Sequence, residues 1–147
     1  MTADGLLSGP ARRVGVDVGT KRVGLAVSDP LQLFAQPHGT YSPENALDEL
    51  ARLAKSDGID GIVVGWPLTE DGGEDEATDM VRAFVERIEE TLADPTIARS
   101  DERYTSERAK ELLRRVGVSQ PGRYDKGRVD AAAAAVILQD YLDAADS

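Results

Sequence analysis

The 147-residue chain has no cysteine and a single histidine, His38. Disulfides, thiolate zinc sites and clusters of several histidines are therefore excluded. A bound metal would have to take oxygen ligands, which favours Mg²⁺ or Mn²⁺ over Ca²⁺. No apolar run approaches the ~18–20 residues of a membrane span. The opening stretch Met1–Pro10 lacks the basic end and long apolar core of a signal peptide, so it reads as a loose tail on a cytoplasmic protein. Ser28, Ser100 and Ser106 have no histidine base at a recognisable spacing, and a full P-loop is absent.

Positive charge is also scarce. Seventeen Lys and Arg stand against 27 Asp and Glu, for a net charge of −10, which argues against general nucleic-acid affinity. The balance is uneven: Arg103–Arg128 holds eight basic and three acidic residues, and Glu70–Glu90 concentrates the acids. Lys appears only four times, a balance that suits a salt-rich cytoplasm.

Several acids sit where an acid has little structural reason to be. Asp17 interrupts the apolar alternation Val14-Gly15-Val16-Asp17-Val18, Asp101 and Glu102 end the segment that begins at Ile97, and Asp130 opens an alanine run. An unpaired carboxylate in apolar surroundings costs several kcal/mol or is neutralised. Acids gathered at one point repel unless a cation holds them, so the pattern points to a divalent-metal site.

Along the chain, 14–18 and 23–28 read as a hairpin around the turn Gly19-Thr20-Lys21-Arg22, and an irregular third strand follows from Leu33 to Tyr41. Ser42-Pro43-Glu44 starts a helix that Gly58 ends. Ile59–Gly65 is a buried strand, Asp75–Leu92 an amphipathic helix and Thr96–Ser100 a strand. Thr105–Val116 predicts a helix, Ser119–Arg128 a mobile loop, and a last helix starts at Lys126 or Asp130 and runs to Leu142. This order gives a single α/β domain over 12–143 with short tails, 1–11 and 144–147. Its mixed central sheet starts as an antiparallel hairpin, continues with parallel strands and is flanked by helices.

Each candidate has a plain structural reading beside the functional one. Asp17 is either a metal ligand, its flanking glycines letting a phosphate approach, or an edge-strand acid facing water. Asp101 and Glu102 are neighbours on an extended chain, so one of them faces the site, or else they pair with Arg99 or Arg103. Asp130 either caps a helix, worth ~1 kcal/mol, or points into a cleft from inside one. Lys21 and Arg22 offer cations beside Asp17 or simply form a solvated turn. Trp66-Pro67-Leu68-Thr69 lines a groove or plugs the core, and Tyr104 and Tyr124 stack on bases or pack. His38 has no visible partner and no assigned role.

Taken together, four segments resemble the motifs of the YqgF (RuvX-like) family. They are Val14–Asp29, Val63–Leu68 with Gly72-Gly73, Asp101–Ala109 and Lys126–Leu142. These are bacterial proteins of ribonuclease H-like fold, described as Holliday junction resolvases or pre-16S rRNA nucleases. The resemblance implies Asp17 as the first catalytic acid, Asp101 or Glu102 as the second, and Asp130 as the acid on the last helix. Ser106 stands where the family usually has a second threonine, and Trp66 is bulkier than the aliphatic residue expected there.

The expectation is a Mg²⁺- or Mn²⁺-dependent endonuclease acting on structured nucleic acid, in 5′-end maturation of pre-16S rRNA or on branched DNA. Asp17, Glu102 (or Asp101) and Asp130 would hold the metal, and Lys21, Arg22, Arg103, Lys126 and Arg128 would contact phosphates. Ribosome association and either a monomer or a homodimer fit this expectation. The rivals are a phosphate-loop ATPase of the actin or sugar-kinase type, which needs two domains, and a non-catalytic nucleic-acid-binding module.

Overall fold

The computed structural model describes residues 11–69, 71–101, 111 and 126–145. The valine alternation forms strand β1 (Arg12–Val18), paired antiparallel with β2 (Val23–Ser28). Gly19 N–H donates to the Arg22 carbonyl at 2.8 Å and closes the turn. Strand β3 (Ala35–Tyr41) pairs antiparallel with β2 and starts later than the sequence suggests. Leu33 and Phe34 belong to the preceding loop because their N–H groups donate to the Asp29 carboxylate, at 2.8 and 2.7 Å. A short side chain that satisfies backbone donors in this way competes with the strand ladder.

Helix α1 (Pro43–Ser56) starts as its sequence dictates, with Ser42 Oγ accepting from Asn45 N–H and Pro43 in the first turn. Gly58, just after its end, has φ of +84°, a left-handed conformation glycine adopts without penalty. Strand β4 (Ile59–Trp66) extends one residue further than expected, to include Trp66. Helix α2 (Glu76–Thr91) is capped by Asp75, which exchanges hydrogen bonds with Thr78 in a capping box. Strand β5 (Ile97–Asp101) and helix α3 (Lys126–Ala145) complete the described elements. The helix expected over Thr105–Val116 lies outside the described residues apart from Glu111. Of the two starts expected for the last helix, Lys126 and Asp130, the structure has Lys126, so residues 126–128 belong to α3 and not to the preceding loop.

The strand order is β3-β2-β1-β4-β5, antiparallel through β3, β2 and β1 and parallel through β1, β4 and β5. This is the mixed α/β sheet that the sequence implies, and β1 lies at its centre. The larger core fills one face, where Val14, Val16, Leu25, Ile62 and Val64 meet Leu47, Leu50, Val81, Phe84 and Ile88 of α1 and α2. The opposite face packs Ala26 and Val63 against Ala134, Ile137 and Leu138 of α3. At about 25 cal/mol per Å² of apolar area removed from water, these two layers supply most of the folding drive.

His38, to which the sequence gave no partner, lies 2.6 Å from Glu49 on α1, and Arg52 binds the same carboxylate at 2.5 Å. The Arg52 hydrogen bond and then that of His38 hold the Glu49 carboxyl down to about 2, despite desolvation. Its folded-state pKa is depressed, so the stability it adds is present above about pH 4.5 and lost as pH falls towards 2.

On the α3 face the sheet carries glycine where other residues would collide. A Cβ on Gly24 would meet the Asp130 carbonyl oxygen at 2.2 Å, and one on Gly15 the Ala134 carbonyl oxygen at 2.5 Å. Both obstacles are backbone, so neither gives way without moving the helix. Gly24→Ala is expected to cost roughly 1–3 kcal/mol in denaturant unfolding. Gly61→Ala, where an added Cβ meets nothing within 4 Å, is expected to stay within about 0.5 kcal/mol of the parent.

Candidate functional site at the carboxyl end of the central strand

Asp17 is the penultimate residue of the central strand, not an edge acid. Val14, Val16 and Val18 fill the α1–α2 core, so alternation turns Gly15 and Asp17 toward α3. The cross-strand partner of Asp17 is Gly24, and directly opposed residues in an antiparallel pair project from one face. Asp130 rests on that glycine, its carbonyl oxygen filling the space a Cβ would take. The backbone of Asp130 therefore lies over the cross-strand pair that contains Asp17, more than a hundred residues away in sequence.

The rest of α3 confirms the alignment. Ala134 and Leu138, one and two turns beyond Asp130, lie over Gly15. Three residues further along, the Tyr141 ring lies 5.5 Å from the Arg13 guanidinium carbon at the opposite end of β1. The helix thus runs antiparallel to β1, with its Asp130 end at the Asp17 end. Gly15 admits a helix here, rather than an approaching phosphate. Asp130 is 6% exposed and lies inside the helix that begins at Lys126, so it is not a cap for that helix.

Asp101 is placed differently. It pairs with Trp66 across β4 and β5, and Trp66 belongs to the α1–α2 core. The Arg99 guanidinium stacks 3.9 Å above the Trp66 ring, on the same face. Asp101 therefore shares the face turned away from Asp17, and the structure does not bring these two acids together. Glu102 and Arg103 lie outside the described residues, as do Tyr104 and Tyr124.

Trp66 is 4% exposed and plugs the core instead of lining a groove on the Asp17 face. Its indole N–H donates to Glu74 at 3.3 Å, and Arg82, paired with Glu74 at 2.9 Å, flanks the ring. The Arg82 hydrogen bond, followed by that of the indole, lowers the Glu74 pKa.

Lys21 and Arg22 are exposed on the β1–β2 turn, at the same end of the sheet as Asp17. The backbones of Lys126 and Arg128 lie in the first turn of α3, ahead of Asp130. Among the described residues, no group of three His, Cys, Asp or Glu is arranged to hold a metal. Asp17 and Asp130, whose backbones lie over the same cross-strand pair, both carry carboxylates, the donor type a hard cation takes. Gly24 was not singled out from the sequence; the hairpin register, which pairs it with Asp17, was the signal available.

The family model described as "RuvX: Holliday junction resolvase" matches residues 11–144. The chain belongs to the RuvX family. A relative from Salinibacter ruber is 71% identical over 93% of this chain and 96% of its own, and carries the name "Putative pre-16S rRNA nuclease". A Chlorobaculum tepidum protein of the same name is 42% identical over 90% of this chain and 93% of its own. Among solved structures, T. thermophilus RuvC in complex with a Holliday junction substrate superposes with a TM-score of 0.58, over 93% of this chain and 96% of that one. At 14% identity that likeness establishes the fold, which is ribonuclease H-like. No helix among the described residues is long and apolar enough to cross a membrane.

Trp66 gives the first test of how the two faces divide. Trp66→Ala is expected to cost about 3–5 kcal/mol of stability through the cavity it leaves. Cleavage per folded molecule, measured well below the melting temperature, is expected to change little. A selective loss of activity at unchanged stability would place Trp66 in the substrate path instead.

Proposed function

We propose that this RuvX-family chain is a divalent-metal-dependent nuclease that hydrolyses phosphodiester bonds of structured RNA, in 5′-end maturation of pre-16S rRNA. The observation that carries the reading is the seat of Asp130 on Gly24, beside Asp17. The family membership and the names of its relatives support the reaction class and the substrate.

Asp17 and Asp130 are the residues we assign to a Mg²⁺ or Mn²⁺ ion. As third ligand we choose Glu102 over Asp101, because Asp101 has the parity of the opposite face and alternation passes the role to the next residue. When bound, the metal would supply an activated water and stabilise the leaving oxygen. The chain's own part is to fix carboxylates on a rigid strand and a packed helix, so that little reorganisation remains at the moment of reaction. Asp17 sits on a strand paired on both sides, which limits its freedom to recoil from Asp130. Lys21 and Arg22 on the exposed turn, with Arg103, Lys126 and Arg128, would hold flanking phosphates. Their local positive charge offsets the net −10 that otherwise repels the substrate.

The family description favours a second substrate, the branched DNA of a Holliday junction. A resolvase needs two active sites and hence a dimer, whereas an RNA-trimming enzyme needs only one. Both substrates belong in one assay, with Mg²⁺ or Mn²⁺ and with EDTA as control. Asp17→Asn and Asp130→Asn are each expected to lower cleavage by at least the roughly 10–100-fold that disturbing a metal ligand's outer partners costs. Glu102→Gln should match them, and Asp101→Asn should remain close to the parent. Undiminished cleavage by Asp17→Asn would overturn this assignment, whereas the non-catalytic binding module predicts no cleavage by the parent chain under any of these conditions.

A further inference from the structure

The β2–β3 loop carries three large apolar side chains into solvent: Leu31 at 74% exposure, Leu33 at 43% and Phe34 at 64%. Together they expose on the order of 300 Å² of apolar surface, in the range of the largest patch on a typical monomer, which is often functional. The nuclease reading makes no use of them.

The loop is not a floppy tip. Asp29 accepts from the N–H groups of Leu31, Leu33 and Phe34, at 3.1, 2.8 and 2.7 Å. The Gln32 amide donates to the Ala11 carbonyl at 2.8 Å and to Asp60 at 3.1 Å, and Gln32 itself has φ of +59°. From α3, the Gln139 amide donates to the Leu33 carbonyl at 3.1 Å and its oxygen accepts from Ala35 N–H at 2.8 Å. The backbone is thus tied to the strand before it, the strand beneath it and the helix beside it. Holding exposed apolar groups in a fixed array costs stability unless the array is used, and it reduces the ordering a partner would otherwise have to impose.

The surroundings of the patch indicate what would use it. Asp29, Asp60 and Asp143 stand around the loop, Asp143 accepting from the same Gln139 amide at 3.0 Å. Backbone donors, that of Phe34 first, hold the Asp29 pKa below the usual carboxylate value, so it stays charged. Among the described residues, Arg12, which donates to the Ser28 carbonyl at 3.3 Å, is engaged with Asp57 at 3.1 Å. An acidic rim repels phosphates, and it repels a second copy with the same rim and a net charge of −10.

We propose that the β2–β3 loop is a preformed docking site for a basic protein segment, which would seat apolar side chains against Leu31, Leu33 and Phe34 and set Lys or Arg against Asp29, Asp60 and Asp143. The site lies apart from Asp17 and Asp130 and does not depend on their role.

The test uses the full chain and two synthetic helical probes of equal length, one of leucine and lysine and one of leucine and glutamate. Binding is followed by calorimetry and by amide chemical shifts. The leucine–lysine probe is expected to bind and to shift amides centred on residues 29–36. The charge-neutral triple variant Leu31→Ser, Leu33→Ser, Phe34→Ser should weaken it by at least about tenfold while leaving the melting temperature unchanged. Asp60→Asn with Asp143→Asn should weaken it several-fold, and the leucine–glutamate probe should not bind. Equal binding by the triple variant, absence of binding, or equal binding of the acidic probe would overturn the proposal. So would a parent dimer that the triple variant dissolves, which would make the occupant a second copy. Deletion of residues 1–10 that shifts the same loop amides would overturn it too, since the chain's own amino-terminal segment would then be the occupant.

Discussion

The close seat of α3 on the sheet is the constraint from which the rest follows. A helix that lies flush on β1 and β2 can do so only where the strands carry no side chain, at Gly15 and Gly24. The same seat fixes the direction of α3 and delivers Asp130 to the residue paired with Asp17. Packing and site geometry are therefore one feature here. The alanine run that lines the helix permits the approach, and the buried acid at its start is the apparent cost.

That arrangement divides the molecule by face. The α1–α2 side is a conventional apolar core, stiffened at its edge by Trp66 between Arg82 and Arg99. The α3 side is thinner, built from small residues, and opens at the carboxyl end of β1 onto acids and the exposed turn cations Lys21 and Arg22. Two close carboxylates repel by amounts that grow as water is excluded. The divalent cation proposed for this site would relieve such a repulsion.

Much of this was legible in the residues. The valine alternation around Asp17 gave the strand, the turn at 19–22 gave the hairpin, and the Ser42 cap and the apolar stripe from Asp75 placed the starts of two helices to within a residue. The four motifs named the family before any coordinates did. The role of the glycines was not legible, because a bare strand face reads equally well as room for a ligand or room for a helix; only the helix register decides. Asp101 and Glu102 could not be separated for the same reason: alternation says that neighbours diverge, but the strand's phase is set by its pairing with β4. Leu33 and Phe34, at the end of the β2–β3 loop, read as strand because they are strand-type residues, and the Asp29 carboxylate that captures their N–H groups leaves no periodic signal. His38 found Glu49 through a contact between β3 and α1 that periodicity does not register.

Because the chain has no cysteine, the proximity of the two acids can be measured directly. Asp17→Cys combined with Asp130→Cys would introduce the only two thiols, and a short bifunctional thiol reagent would report their separation under native conditions. If α3 is seated on Gly24, this pair cross-links rapidly within one molecule, while Asp101→Cys combined with Asp130→Cys, on opposite faces of the sheet, does not. Failure of the first pair to cross-link, or equal yields from both, would contradict the shared site.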